Sequence, residues 1–203
     1  DTGAMWARHQ AQEYFDNARK FAALHDKNAA DLQVSPSVPA FHKPSTIIMV
    51  IGESASRSYM SAYYPVELDT TPWMRTASQE ANFILFRHAY TTMVQTVGSL
   101  ERALTEKNQY NTMEFHESLT LLDIAKKAGY TTYWFSNQGT ISNADTPITL
   151  VAQTAVHAKW IEDELANSTH VRYDGDLLPY LKEINPNENN FVVIHIMGSH
   201  DNY

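Results

Sequence analysis

The strongest constraint in this sequence is a set of short, unbroken apolar runs set apart by longer stretches with helical spacing. Thr46-Ile-Ile-Met-Val-Ile51 is almost entirely β-branched or apolar, and Phe191 to Met197 (FVVIHIM) repeats the pattern. A strand with one wet face alternates apolar and polar residues. A run without alternation suits a strand covered on both faces, as in a parallel sheet. Tyr130 to Phe135 and Asn82 to Tyr90 (NFILFRHAY) are two further strand candidates. Between them, Ser118 to Ala128 reads as a helix with Leu119, Leu122 and Ala125 on one face and Gly129 as its stop. Residues 174–184 read as helical too, with Pro179 kinking or delaying the helix. Strands alternating with helices at these intervals predict βαβ units, hence an α/β layered fold with a mostly parallel central sheet flanked by helices.

The chain ahead of the first strand has a different character. Ala11, Tyr14, Phe15, Ala18, Phe21 and Ala22 share one helical face, so an amphipathic helix packed on the domain is expected there. Asp31 to Pro44 carries three prolines and reads as an extended connection. The longest clean apolar run, Ile47 to Ile51, is far too short to cross a bilayer, and no signal peptide is visible at Asp1. With 203 residues, 43% of them hydrophobic and 19% charged, the chain can bury a core as one domain. Its formal net charge of -8 gives no electrostatic footprint for nucleic acid, and no basic run suits docking on anionic lipid. A phosphate-bearing substrate would therefore need a local device, such as a metal or a helix N-terminus. The absence of cysteine excludes disulfides and zinc-thiolate sites.

In open α/β sheets, ligands gather at the carboxyl ends of the strands. The first strand is followed by Gly52-Glu53-Ser54. Glu53 reads either as a metal ligand beside a tight glycine turn, or as a solvated or helix-capping glutamate. Thr96 stands where a helix begins, ahead of Ser99 and Leu100. It reads either as a helix N-cap or as a nucleophile, and in the second case it needs a base or a metal to activate its hydroxyl. His195 lies inside the last strand and reads as a core histidine. His200, past Gly198 at the strand end, is placed to meet a phosphate oxygen or a metal.

Four segments together resemble one family. TIIMVIGESASRSYMSAYY followed by Thr70-Thr71-Pro72, the Thr96 segment with Leu104-Thr105 behind it, LLDIAKKAGYTTYWFSNQ, and VVIHIMGSHDNY occur in the order and spacing of bacterial phosphoethanolamine transferase catalytic domains. These belong to the sulfatase and alkaline phosphatase superfamily. The resemblance runs from about Thr46 to Tyr203 and fits the cysteine-poor branch, although the glycine common between the tyrosines near Tyr63 and Tyr64 is missing.

The resemblance implies an alkaline phosphatase-like layered fold. It divides the chain into a linker helix and extended lead-in over residues 1–45 and the N-terminal part of a catalytic domain over residues 46–203. It implies zinc as cofactor, with Glu53 and Thr96 as ligands, Thr96 also as nucleophile, and His200 and Asn137 as substrate contacts. An Asp-His ligand pair of the family falls beyond Tyr203, so residues 1–203 on their own are expected to transfer nothing. The implied reaction moves phosphoethanolamine from phosphatidylethanolamine to a lipopolysaccharide-type acceptor, lipid A or core, through a phosphothreonine. The implied location is the periplasmic face of the bacterial inner membrane, with a membrane anchor upstream. A phosphoglycerol transferase or sulfatase-like hydrolase is the alternative enzyme reading. A classical sulfatase would need a cysteine or serine in an x-Pro-x-Arg context, which this chain lacks. A non-catalytic relic or partner-binding domain of the same fold is the alternative of a different class.

Overall fold

A computed structural model describes residues 2–35, 43–139, 147–161, 172–198 and 200. Its centre is a four-stranded sheet in the order β1-β4-β2-β3, with β1 Thr46–Ile51, β2 Thr131–Ser136, β3 His157–Trp160 and β4 Asn190–His195. Every neighbouring pair is parallel. The register puts Ile51 opposite His195, His195 opposite Ser136, and Ser136 opposite Trp160, so the strands finish in one row.

The two faces of the sheet carry separate cores, as the two-residue side-chain period requires. Trp134, Phe191 and Val193 pack on one face with Leu122 and Ala125 of helix α4 (Leu121–Lys127) and Ile148 and Val151 of helix α5 (Pro147–Gln153). Tyr133, Phe135 and Val192 pack on the other with Ile161, Leu177 and Tyr180. Thr120 caps α4 through a reciprocal pair with Asp123, and Gly129 ends the segment at φ 89, a left-handed conformation that glycine adopts without penalty. Helix α1 (Thr2–Asp31) docks through Phe21, which stacks on Phe115 at 5.3 Å; Phe15 of the expected stripe is exposed. The proline-rich connection over 36–42 lies outside the described residues.

Three expectations change. The segment Asn82 to Tyr90 is not a strand: Ile84 and Phe86 are exposed, and no described strand pairs with it. Arg57 takes the segment's Arg87 and Ala89 carbonyls instead, and its guanidinium lies 4.8 Å from the Tyr90 ring. Strand β1 is not covered on both faces. Among the described residues it pairs with β4 alone, and Ile47, Ile48 and Val50 are exposed while Met49 and Ile51 pack on the core. The 174–184 helix is a 3₁₀ helix, Asp174–Glu183, with Pro179 inside it, where an α-helix would lose the N–H bond at 179 and set the proline ring against the carbonyl of residue 175. Sequence reading also passed over β3, whose His-Ala-Lys-Trp lacks an apolar run, and the short helix α2 (Pro72–Ala77).

Candidate active site

The turn after β1 aims Glu53 inward. Ser54 sits at φ 45, left-handed and unfavourable for a residue with a side chain. In that conformation both its N–H and its hydroxyl donate to Glu53 Oε1, at 2.9 and 3.0 Å. Glu53 is buried, and among the described residues no Lys, Arg or His forms an ion pair with it. A solvated loop glutamate does not fit this burial.

Thr96 opens helix α3 (Thr96–Leu104) as its first helical residue. The N-cap is Gln95, without a side-chain capping bond, so the capping role belongs to another position. The Thr96 hydroxyl points at Glu53, 3.2 Å from each carboxylate oxygen. Residues 43 apart in sequence thus meet at the carboxyl edge of the sheet. A buried carboxylate with a hydroxyl on it and no cation beside it is a donor set that suits a metal ion. Two oxygen donors are fewer than the three or four protein ligands of a zinc site, and among the described residues no three His, Asp or Glu side chains gather to hold a metal.

Beside this pair lies a cavity of about 290 Å³ lined by Glu53, Thr96, Trp134, Gln138, His195 and His200, among others. His200 reaches it from a turn in which its N–H donates to the Met197 carbonyl at 2.9 Å. His195, expected as a core histidine, is indeed buried but belongs to the cavity wall. Its Nε2 has no hydrogen-bond partner among the described residues, and its ring meets Trp134 edge-on at 5.8 Å. Burial drives its pKa down to about 4, against the pull of nearby Glu53, so the imidazole is neutral near pH 7. Strand parity was the available signal, because His195 lies two residues beyond Val193 on the Trp134 face.

The same parity separates Asn137 from the cavity. Ser136 and Gln138 line it, whereas the Asn137 side chain donates to Asp174 Oδ1 at 2.8 Å. A wider, open depression of about 620 Å³ lies among Lys43, Gly129, Thr131 and Asn187 to Asn189, at the other end of the strands, and holds no candidate nucleophile beside a buried carboxylate.

Residues 45–203 match the sulfatase family. The chain belongs to that family. Among the relatives of this sulfatase-family chain is phosphoethanolamine transferase EptC of Escherichia coli (strain K12), 28% identical over 184 residues, which are 89% of this chain and 31% of EptC. Another is phosphoethanolamine transferase CptA of Salmonella typhimurium (strain LT2), 29% identical over 164 residues, 79% of this chain and 28% of CptA. The chain therefore spans about a third of the length of the curated relatives it matches. The crystal structure of the C-terminal periplasmic domain of E. coli EptC in complex with Zn superposes with a TM-score of 0.69 at 27% identity, covering 80% of this chain and 46% of that one. The parallel sheet with flanking helices is thus the fold of that domain.

Proposed function

We propose that this chain carries the nucleophile half of a zinc-dependent phosphoethanolamine transferase, with Thr96 as the attacking residue. The carrying observation is the Thr96 hydroxyl held 3.2 Å from both oxygens of buried Glu53, on a cavity that His195 and His200 also line. The sulfatase-family match and the named activity of the relatives support the reading.

On this reading the phosphate of phosphatidylethanolamine enters the cavity with His200 against a phosphoryl oxygen. Glu53 fixes the hydroxyl's direction. Thr96 Oγ1 forms a bond to phosphorus, the bond from phosphorus to the diacylglycerol oxygen breaks, and that oxygen leaves with a proton as the diacylglycerol hydroxyl. In the second step an acceptor hydroxyl or phosphate oxygen of the lipopolysaccharide lipid A or core forms a bond to the same phosphorus, the bond from phosphorus to Thr96 Oγ1 breaks, and a proton returns to Oγ1 to regenerate the threonine hydroxyl. Neutral His195 adds no charge to the wall, and the N-terminus of α3 places partial positive charge beside Thr96. Glu53 and Thr96 would hold the metal; when bound, it supplies Lewis acidity that activates the hydroxyl and offsets developing phosphoryl charge. The location proposed is the periplasmic face of the inner membrane, which the solved periplasmic domain supports. Among the described residues no helix is long and apolar enough to cross a membrane.

The test is a Thr96 series in the full-length protein, assayed on phosphatidylethanolamine with mass analysis of the Thr96 peptide. Thr96→Ala and Thr96→Asp should fold normally and transfer nothing, Thr96→Ser should keep some activity, and a phosphoethanolamine adduct should appear on the wild-type peptide only. Full transfer by Thr96→Asp, which has no attacking hydroxyl, would end the reading. Turnover of phosphatidylglycerol in place of phosphatidylethanolamine would move it to a phosphoglycerol transferase.

A further inference from the structure

We infer that Asp174 is a positioning residue, whose carboxylate clamps the turn after β4 and so sets where His200 stands. Asp174 Oδ1 accepts the Met197 N–H at 2.8 Å and Oδ2 accepts the Gly198 N–H at 2.9 Å, two consecutive backbone donors held by one carboxylate. Oδ1 also accepts the Asn137 amide at 2.8 Å. Asn137 in turn is tied by its backbone N–H to the His195 carbonyl at 2.9 Å. Only the amide nitrogen of Asn137 can face a carboxylate, since two acceptor oxygens would repel, so its orientation follows from chemistry. The Asn137 amide nitrogen is thus committed to Asp174, while its Oδ1 has no hydrogen-bond partner among the described residues.

Two further observations separate this role from a plain helix start. Asp174 opens the 3₁₀ helix, where an acidic residue complements the helix dipole. The capping there is done by Asp176, which accepts the Tyr173 N–H at 2.9 Å, and Asp174 is left to reach across to the turn. The second is the glycine. A Cβ at Gly198 would lie 2.3 Å from Asp174 Oδ2, so the carboxylate can close on this N–H only if position 198 has no side chain. Gly198 and Asp174 are therefore one device, and its output is the turn in which Met197 O receives the His200 N–H.

The catalytic consequence rests on the transfer reading above; the clamp itself does not. Hydrogen exchange followed by NMR tests the clamp in the full-length protein and in Asp174→Asn and Gly198→Ala. Gly198→Ala should speed exchange at the Met197 and Gly198 amides, and Asp174→Asn, which keeps one acceptor oxygen, at one of them or both, about tenfold or more, while Val192 and Val193 in β4 stay protected. Unchanged protection at 197 and 198, or loss along all of β4, overturns the proposal. The second arm is kinetic. Asp174→Asn should lower kcat on phosphatidylethanolamine about 100-fold with KM nearly unchanged, the effect of a group displaced by about 1 Å. Added to His200→Ala, it should cost little more, because it acts through that residue. A full, additive loss in the double variant overturns the route through His200. Absence of transfer in the wild type counts against the transfer reading alone, and the exchange arm still decides the clamp.

Discussion

Replacing His25 by glutamine should remove one pH-dependent component of stability and leave the rest of the pH profile in place. His25 Nε2 lies 2.8 Å from Asp123 Oδ2, with the two side chains 11% and 2% exposed, and this contact fastens α1 to the cap of α4. The other charges facing the ring are Lys126 of α4 and Asp26 of α1, whose carboxylate is 3.6 Å from Nδ1. Lys126 Nζ also lies 3.1 Å from Asp123 Oδ1, too poorly aligned to be a hydrogen bond, and donates instead to the Thr154 carbonyl at 2.6 Å. The bond to Asp123 raises the His25 pKa above its usual 6.5, against the lowering effect of burial. Burial pushes Asp123 up, but the bonds from His25 and Thr120 outweigh it and bring the carboxyl down to about 2.

The raised His25 pKa means that its stabilisation is whole below pH 6.5 and disappears as pH rises through the folded value. The depressed Asp123 pKa means that its stabilisation holds above pH 3.8 and disappears as pH falls towards 2. The bonds from His25 and Thr120 together outweigh burial at Asp123, and a hydrogen bond between charged groups contributes about 1.5 kcal/mol or more. Urea unfolding of wild type and His25→Gln should therefore differ by about 1.5 kcal/mol near pH 5.5 and by much less near pH 9. Glutamine keeps a neutral donor and cannot titrate. Buried His195 works in the opposite direction, destabilising the fold as pH falls below 6.5, but it does so in both proteins and cancels in the difference. A difference that is flat from pH 5.5 to 9, or that grows towards pH 9, would refute the argument.

Glu53→Gln in the full-length protein should weaken zinc binding about 100-fold or more by calorimetry, with the fold retained, since it removes the charge and leaves the shape; unchanged affinity would place the metal elsewhere. Trp134→Ala should cost about 3–5 kcal/mol in denaturant unfolding, because Trp134 is 1% exposed at the centre of one core and also walls the cavity.

Much of this was legible. The runs at 46–51, 130–135 and 191–197 became β1, β2 and β4 within two residues at each end, because unbroken apolar stretches have few other places to go. The run at 82–90 is apolar at its centre but carries Asn82, Arg87 and His88, and it failed because a strand also needs a neighbour, which composition does not report. Glu53 and Thr96 could be singled out because each stands where a strand-end turn or a helix start puts a side chain at the carboxyl edge. Asn137 and His195 were harder. One residue of register decides which face a strand residue takes, and the cavity's face becomes known only when the sheet order is. Asp174 carried no local signal at all, since its partners lie 23, 24 and 37 residues away.

Among the described residues no strand pairs with the outer edge of β1, where Ile47, Ile48 and Val50 are 44%, 51% and 60% exposed. Its outer row of N–H and C=O groups is satisfied equally well by solvent or by any other extended backbone, and only the second choice also covers the apolar side chains. Residues 1–203 handled alone should therefore behave as a sticky species at high protein concentration. Light scattering should rise with concentration and fall on replacing Val50 by lysine, a change that gives the border a charge without touching the buried faces of Met49 and Ile51.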